Sequence, residues 1–170
     1  MYDYDTNEYP LAYLITIRSY GTWLHGDDRA SVDRINHHYG TPMLPPDQKL
    51  ENADTNQLLH SPVKFEAEQR AIIDGAIRGV CLHRGYELFA INVRTNHVHI
   101  VVAAACKPEL IMNSFKSYAT RHLRTSTLFA DSIKPWSRHG STRYLWKERH
   151  VEIAIDYVVN RQGEALPQFS

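Results

Sequence analysis

Residues 11–18, LAYLITIR, are apolar, aromatic and β-branched almost throughout, which predicts a first strand, at least partly buried. Pro62 precedes a stretch, 63–84, in which Phe65, Ile72, Ile73, Ala76, Val80 and Leu82 fall mostly at helical spacing, and Gly85 supplies a stop. Residues 86–93 and 97–103 read as strands separated only by Arg94, Thr95 and Asn96, so they should pair as an antiparallel hairpin. Pro108 then stands where a helix would begin. Leu110, Ile111, Phe115, Tyr118, Ala119, His122 and Leu123 form its apolar-to-mixed stripe, ending near Thr125. Residues 142–146 suit a short strand, and 151–160 have helical spacing through Ile155, Val158 and Val159. The order β, α, β, β, α, β with a final α predicts an α+β, ferredoxin-like domain: an antiparallel sheet with helices packed on one face.

Residues 19–61 interrupt this pattern with Gly21, Gly26, Gly40, Pro42, Pro45, Pro46 and many Asp and Asn residues, and read as a long loop. Its aromatics Tyr20, Trp23 and Tyr39 suggest that it packs against something, and Trp23 and Tyr39 could stack unpaired bases. No internal repeat or separating linker divides the 170 residues, so one domain over 1–170 is expected. The longest apolar runs, such as 100–106, are far shorter than the roughly 20 residues that cross a bilayer, and 1–9 are acidic and polar. A cytoplasmic protein without membrane partners is the expectation. Cys81 and Cys106 have neither zinc-ligand spacing nor a disulfide-framework count, and read as reduced.

Formal net charge is zero, yet residues 1–85 carry 8 basic and 12 acidic side chains, whereas 86–170 carry 11 and 7. Between 111 and 149, Lys116, Arg121, Arg124, Lys134, Arg138, Arg143, Lys147 and Arg149 face only Asp131 and Glu148. Clustered cations of this kind suit a polyanion, because binding releases counterions from a phosphate backbone; the alternative is a solvated surface facing the acidic half of the chain.

The sharpest local feature is His97-Val98-His99 in a central strand. Strand side chains alternate faces, so both imidazoles project from one side and can share a metal ion. Two imidazoles leave coordination incomplete, so a further ligand is expected from a neighbouring element. Tyr118 and His122 share one face of the following helix. If that face covers the hairpin, His122 completes a three-histidine site and Tyr118 presents its phenol to it. Taken singly, each has a plainer explanation: a chance His-x-His, a rim tyrosine, and a histidine favoured by the dipole at a helix C-terminus. His139 and His150 lack partners at strand or helix spacing and read as exposed.

Asn96-His97-Val98-His99-Ile100-Val101-Val102 and Phe115-Lys116-Ser117-Tyr118-Ala119-Thr120-Arg121-His122-Leu123 together resemble the single-tyrosine HUH transposases of the IS200-like type, including relatives associated with repetitive extragenic palindromes. Trp146 and residues 151–160, with Tyr157, also look like that family's closing strand and helix. The resemblance implies a nuclease that cleaves single-stranded DNA near a hairpin and rejoins it through a 5′-phosphotyrosine link. On this resemblance Tyr118 is the nucleophile and His97, His99 and His122 hold a divalent metal, magnesium or manganese. Three imidazoles by their own chemistry suit manganese, cobalt or zinc. Family members often carry Gln, Asn or another polar residue where His122 stands. Lys116, Arg121, Arg124, Arg138, Arg143, Lys147 and Arg149 are expected to contact phosphates. Single-stranded or hairpin DNA is the expected partner, and a homodimer is compatible, since transposing relatives are often dimers.

A histidine-triad nucleotide hydrolase would need a third histidine where Val101 stands, and a two-histidine phosphoesterase would need paired His-x-Ser/Thr motifs. A domesticated, non-catalytic DNA-hairpin binder is the alternative in a different class. A purely structural metal-stabilised domain is the third reading.

Overall fold

The computed structural model describes residues 8–22, 59–161, 167 and 169. Most of the long 19–61 segment, with Trp23 and Tyr39, lies outside the described residues. The described chain runs β1 (Ala12–Ser19), α1 (Ala67–Arg84), β2 (Glu87–Val93), β3 (His97–Ala103), α2 (Pro108–Thr125), β4 (Trp136–Leu145) and α3 (Glu148–Asn160). The strands form one antiparallel sheet in the order β2-β3-β1-β4. The α+β class with an antiparallel sheet and packed helices is as expected.

Both faces of the sheet are covered, which departs from the expectation of helices on one. Tyr13, Ile15 and Ile17 of β1 and Val98, Ile100 and Val102 of β3 point to one side, where Ile73 and Ile77 of α1 and Ile111, Phe115 and Leu123 of α2 pack on them. Ala12, Leu14, Val101 and Leu145 point to the other side and meet Ala154, Tyr157 and Val158 of α3. The central strands are apolar on both faces over this half of their length, and a strand so built must be covered twice.

Helix α1 begins four residues later than the apolar spacing suggests. Val63 and Phe65 stay extended, their N–H groups donating to the carbonyls of Tyr20 (2.8 Å) and Thr95 (2.6 Å). The helix starts after Glu66, whose N–H donates to Gln69 Oε1 (2.9 Å). It ends at Gly85, whose φ of 71° is the left-handed conformation that glycine adopts without strain. β4 is twice the expected length, because the Ser137–Gly140 region lacks apolar alternation and reads as loop from sequence. Gly140 is required there by a close approach: a Cβ would meet the Thr16 carbonyl and, at 2.8 Å, Met112 Sδ.

Candidate active site

Antiparallel register places Thr16 opposite His99 and Arg18 opposite His97, while Asn92 flanks His99 from β2. These five side chains share the face that α3 covers. The imidazole centroids of His97 and His99 are 4.6 Å apart. Thr16 Oγ1 is 2.8 Å from His99 Nδ1, and Asn96 Oδ1 is 2.7 Å from His97 Nδ1. A carboxamide oxygen only accepts, so His97 Nδ1 carries the hydrogen and its Nε2 carries the lone pair. The same tautomer for His99, with Nδ1–H donating to Thr16, leaves Nε2 as its ligating nitrogen. Metal-binding histidines are oriented in this way, by a partner on the other ring nitrogen.

His99 is buried, and its pKa is pushed down to about 3, first by burial and then by the positive fields of His97, Arg18 and Arg94. It is therefore neutral at pH 7, the form that can ligate a cation. The chemistry of two neutral imidazole nitrogens on one face fits two ligands of a divalent ion. Among the described residues, no group of three His, Cys, Asp or Glu side chains is placed to hold a metal.

The phenol beside this pair is Tyr157. Its ring lies 5.3 Å from the His99 ring, edge to face. The helix that carries it is fixed to the sheet by the stripe His150, Ala154, Tyr157 and Val158, and by Asn92 Nδ2 donating to the Val158 carbonyl (3.0 Å). Burial raises the Tyr157 pKa, and the nearby Arg143 guanidinium opposes that rise. Arg143 shares the histidine face, since it pairs with Leu14 across β1 and β4.

Tyr118 and His122 do not join the pair within one chain. Helix α2 packs on the opposite face of the sheet, where half-buried Tyr118 joins the Phe115 and Leu123 core and Arg121 sits 5.1 Å from its ring centroid. Exposed His122 lines a cleft with Ile72, Gly75 and Ala76 of α1. The expected three-histidine geometry fails because α2's apolar stripe seeks the Val98, Ile100 and Val102 face, and those residues point away from His97 and His99.

The basic residues divide as well. Lys116 Nζ turns inward and donates to the carbonyls of Ser137 (3.1 Å) and Arg138 (3.5 Å), so it braces β4; burial, with Arg18 nearby, lowers its pKa. Arg124 donates to the Asp131 and Ile133 carbonyls, tying down the loop after α2. Arg121, Arg138, Arg143, Lys147 and Arg149 are exposed. His139 is exposed as expected, but His150 is buried in the first turn of α3, its ring 5.6 Å from Phe169. Cys81 and Cys106 are free thiols.

From sequence, Tyr157 reads only as part of the closing helix, and Thr16 only as part of a buried strand. The signal for Tyr157 was its place in the apolar stripe of the last helix, where a phenol oxygen must be either solvated or put to use. Thr16, in a run of apolar residues, stands directly across from the histidine motif once register is known.

The family described as "Transposase IS200 like" matches residues 61–158. No curated protein matches the chain. Among solved structures it is similar to a REP-associated tyrosine transposase bound to a REP hairpin, with 12% identity and a TM-score of 0.48 over 86% of this chain. The chain spans 63% of that protein's length. It is also similar to a protein from Deinococcus radiodurans R1 described as a transposase, with 12% identity and a TM-score of 0.45, over 95% of this chain and 98% of the other. Among the described residues, no helix is long and apolar enough to cross a membrane.

Proposed function

The chain belongs to the IS200-like transposase family, and from that premise we infer that it cuts and rejoins single-stranded DNA, using His97 and His99 to hold a divalent cation and Tyr157 as the nucleophile. The observation that carries this reading is the edge-to-face contact of Tyr157 with His99, on the one sheet face where both histidines project. Tyr157 therefore takes the role that the family resemblance implied for Tyr118.

In the first step Tyr157 Oη forms a bond to phosphorus and gives up its proton, while the bond from phosphorus to the 3′-oxygen breaks. That oxygen leaves as a 3′-hydroxyl, and the 5′-phosphate stays on tyrosine. Attack on this link by a 3′-hydroxyl reverses the step, so rejoining needs no nucleotide cofactor. A bound divalent cation, magnesium or manganese by family, would supply Lewis-acid polarisation of the non-bridging oxygens. The chain's own residues orient and activate. Thr16 and Asn96 fix the imidazoles, and α3 shields Tyr157 from water. An ordinary phenol with a pKa of about 10 is only ~0.1% ionised near neutrality, and burial makes Tyr157 harder still to ionise. The Arg143 guanidinium favours the anion that attack requires.

Incubation with hairpin-containing single-stranded DNA and manganese should give a covalent protein–DNA adduct. Tyr157→Phe abolishes it and Tyr118→Phe keeps it. Binding without any adduct, under every divalent metal tried, would assign the chain to the non-catalytic hairpin binders instead.

A further inference from the structure

Among the described residues β4 is an edge strand, bonded to β1 on one side. At its C-terminal end the sequence reads Arg143-Tyr144-Leu145-Trp146-Lys147, with cations and aromatics interleaved. Leu145 is fully buried against α3, whereas Tyr144 and Trp146 are 47% and 51% exposed. Their ring centroids lie 6.2 Å apart. Tyr144 is held in place by Tyr13, edge-on at 5.1 Å, and the Tyr13 hydroxyl is itself anchored on the Cys106 carbonyl (2.9 Å). Leu11, 41% exposed, precedes the first β1 residue at the same end. The result is two braced, half-open aromatic faces on a strand whose neighbouring residues Arg143, Lys147 and Arg149 are exposed cations, with Glu109 and Glu148 among the acids toward this end.

Alternation along β4 links this patch to the histidine face. Arg143 points to the side of His99, and Tyr144 to the other side. A strand leaving the histidines past Arg143 would cross the open edge of β4 and arrive on the two rings. We propose that Tyr144 and Trp146 form a stacking platform for bases of an unpaired DNA strand, with Arg143, Lys147 and Arg149 neutralising its phosphates. The proposal rests on the strand-cutting reading above and extends it to the path of the strand. Base stacking on aromatic faces tolerates any sequence, so the platform adds grip on single strands without selecting a site. Rigid rings already braced in the free protein lose little freedom on binding.

Fluorescence anisotropy with a labelled oligothymidylate and a labelled blunt duplex tests this, on the full chain and on the Trp146→Ala and Tyr144→Ala/Trp146→Ala variants. Thermal melts confirm that the variants fold. Trp146→Ala should weaken oligothymidylate binding at least about fivefold, and the double variant more, with duplex binding unchanged. The slope of affinity against salt should stay the same, because the substitutions remove no phosphate contact. Equal oligothymidylate binding by wild type and both variants overturns the platform, as does failure of the wild type to bind it. A variant that instead changes the oligomeric state marks the patch as an interface between copies and also overturns it. The adduct assay above reads the strand-cutting proposal separately, so adduct formation with unaltered strand binding would sink the platform alone.

Discussion

The two faces of the sheet are built from the same strands and do different work. The face under α1 and α2 is apolar along its whole length, from Tyr13 and Val102 at one end to Ile17 and Val98 at the other. The face under α3 is apolar only at the Ala12, Leu14 and Val101 end; toward the other it becomes Thr16, Arg18, Asn92, His97 and His99. A helix of 13 residues, about 20 Å long, covers the apolar end and brings Tyr157 to the junction. The uniform face supplies stability. The divided face carries the groups proposed for chemistry, and burying the His99 imidazole there costs stability that the uniform face must offset.

The largest expected effect belongs to the divided face. His97→Ala or His99→Ala should reduce metal-dependent DNA cleavage by about a thousandfold or more, matching the several kcal/mol a Lewis acid contributes. Circular dichroism should show the fold retained. Loss of cleavage only together with loss of fold would erase the distinction between the faces. On the uniform face, Phe115→Ala removes a fully buried ring and should cost about 3–5 kcal/mol in denaturant unfolding.

Acid should act through the divided face. The unfolded chain protonates His99 near pH 6.5, while the folded chain resists until about pH 3. Below pH 6.5 the unfolded state thus binds more protons, so this contribution to stability is whole above pH 6.5 and is lost progressively as pH falls toward 3. At pH 4.5 the loss from this group is on the order of 2 kcal/mol. Melts of the wild type and His99→Gln between pH 7.5 and 4.5 should diverge in slope, with the variant flatter; parallel slopes would count against a buried neutral histidine. The smallest effect is expected from Tyr118→Phe, which should shift stability by less than about 0.5 kcal/mol and leave cleavage unchanged.

Much of this is legible in the sequence. The hairpin around Arg94, Thr95 and Asn96 and the helix from Pro108 to Thr125 follow from turn residues and helical spacing, which are local signals. His97 and His99 share a face because strands alternate. Which helix covers that face is not local information. β3 is apolar on its even positions and, from Val101 on, on its odd ones as well, so α2's stripe could have docked on either side. Tyr118 follows the histidines closely in sequence, whereas Tyr157 reaches them only through the sheet's far-face packing. The first half of β4 was hidden for a related reason: Gly140, which reads as a loop residue, is there to let a strand and Met112 come close.

The proposed mechanism requires the reacting phenol to come from the helix on the histidine face. Mass spectrometry of the peptide that carries nucleotide, after trapping the protein with single-stranded hairpin DNA and manganese, tests it most directly. Modification is expected at Tyr157. Modification at Tyr118, delivered across the sheet or from a second copy, would contradict it.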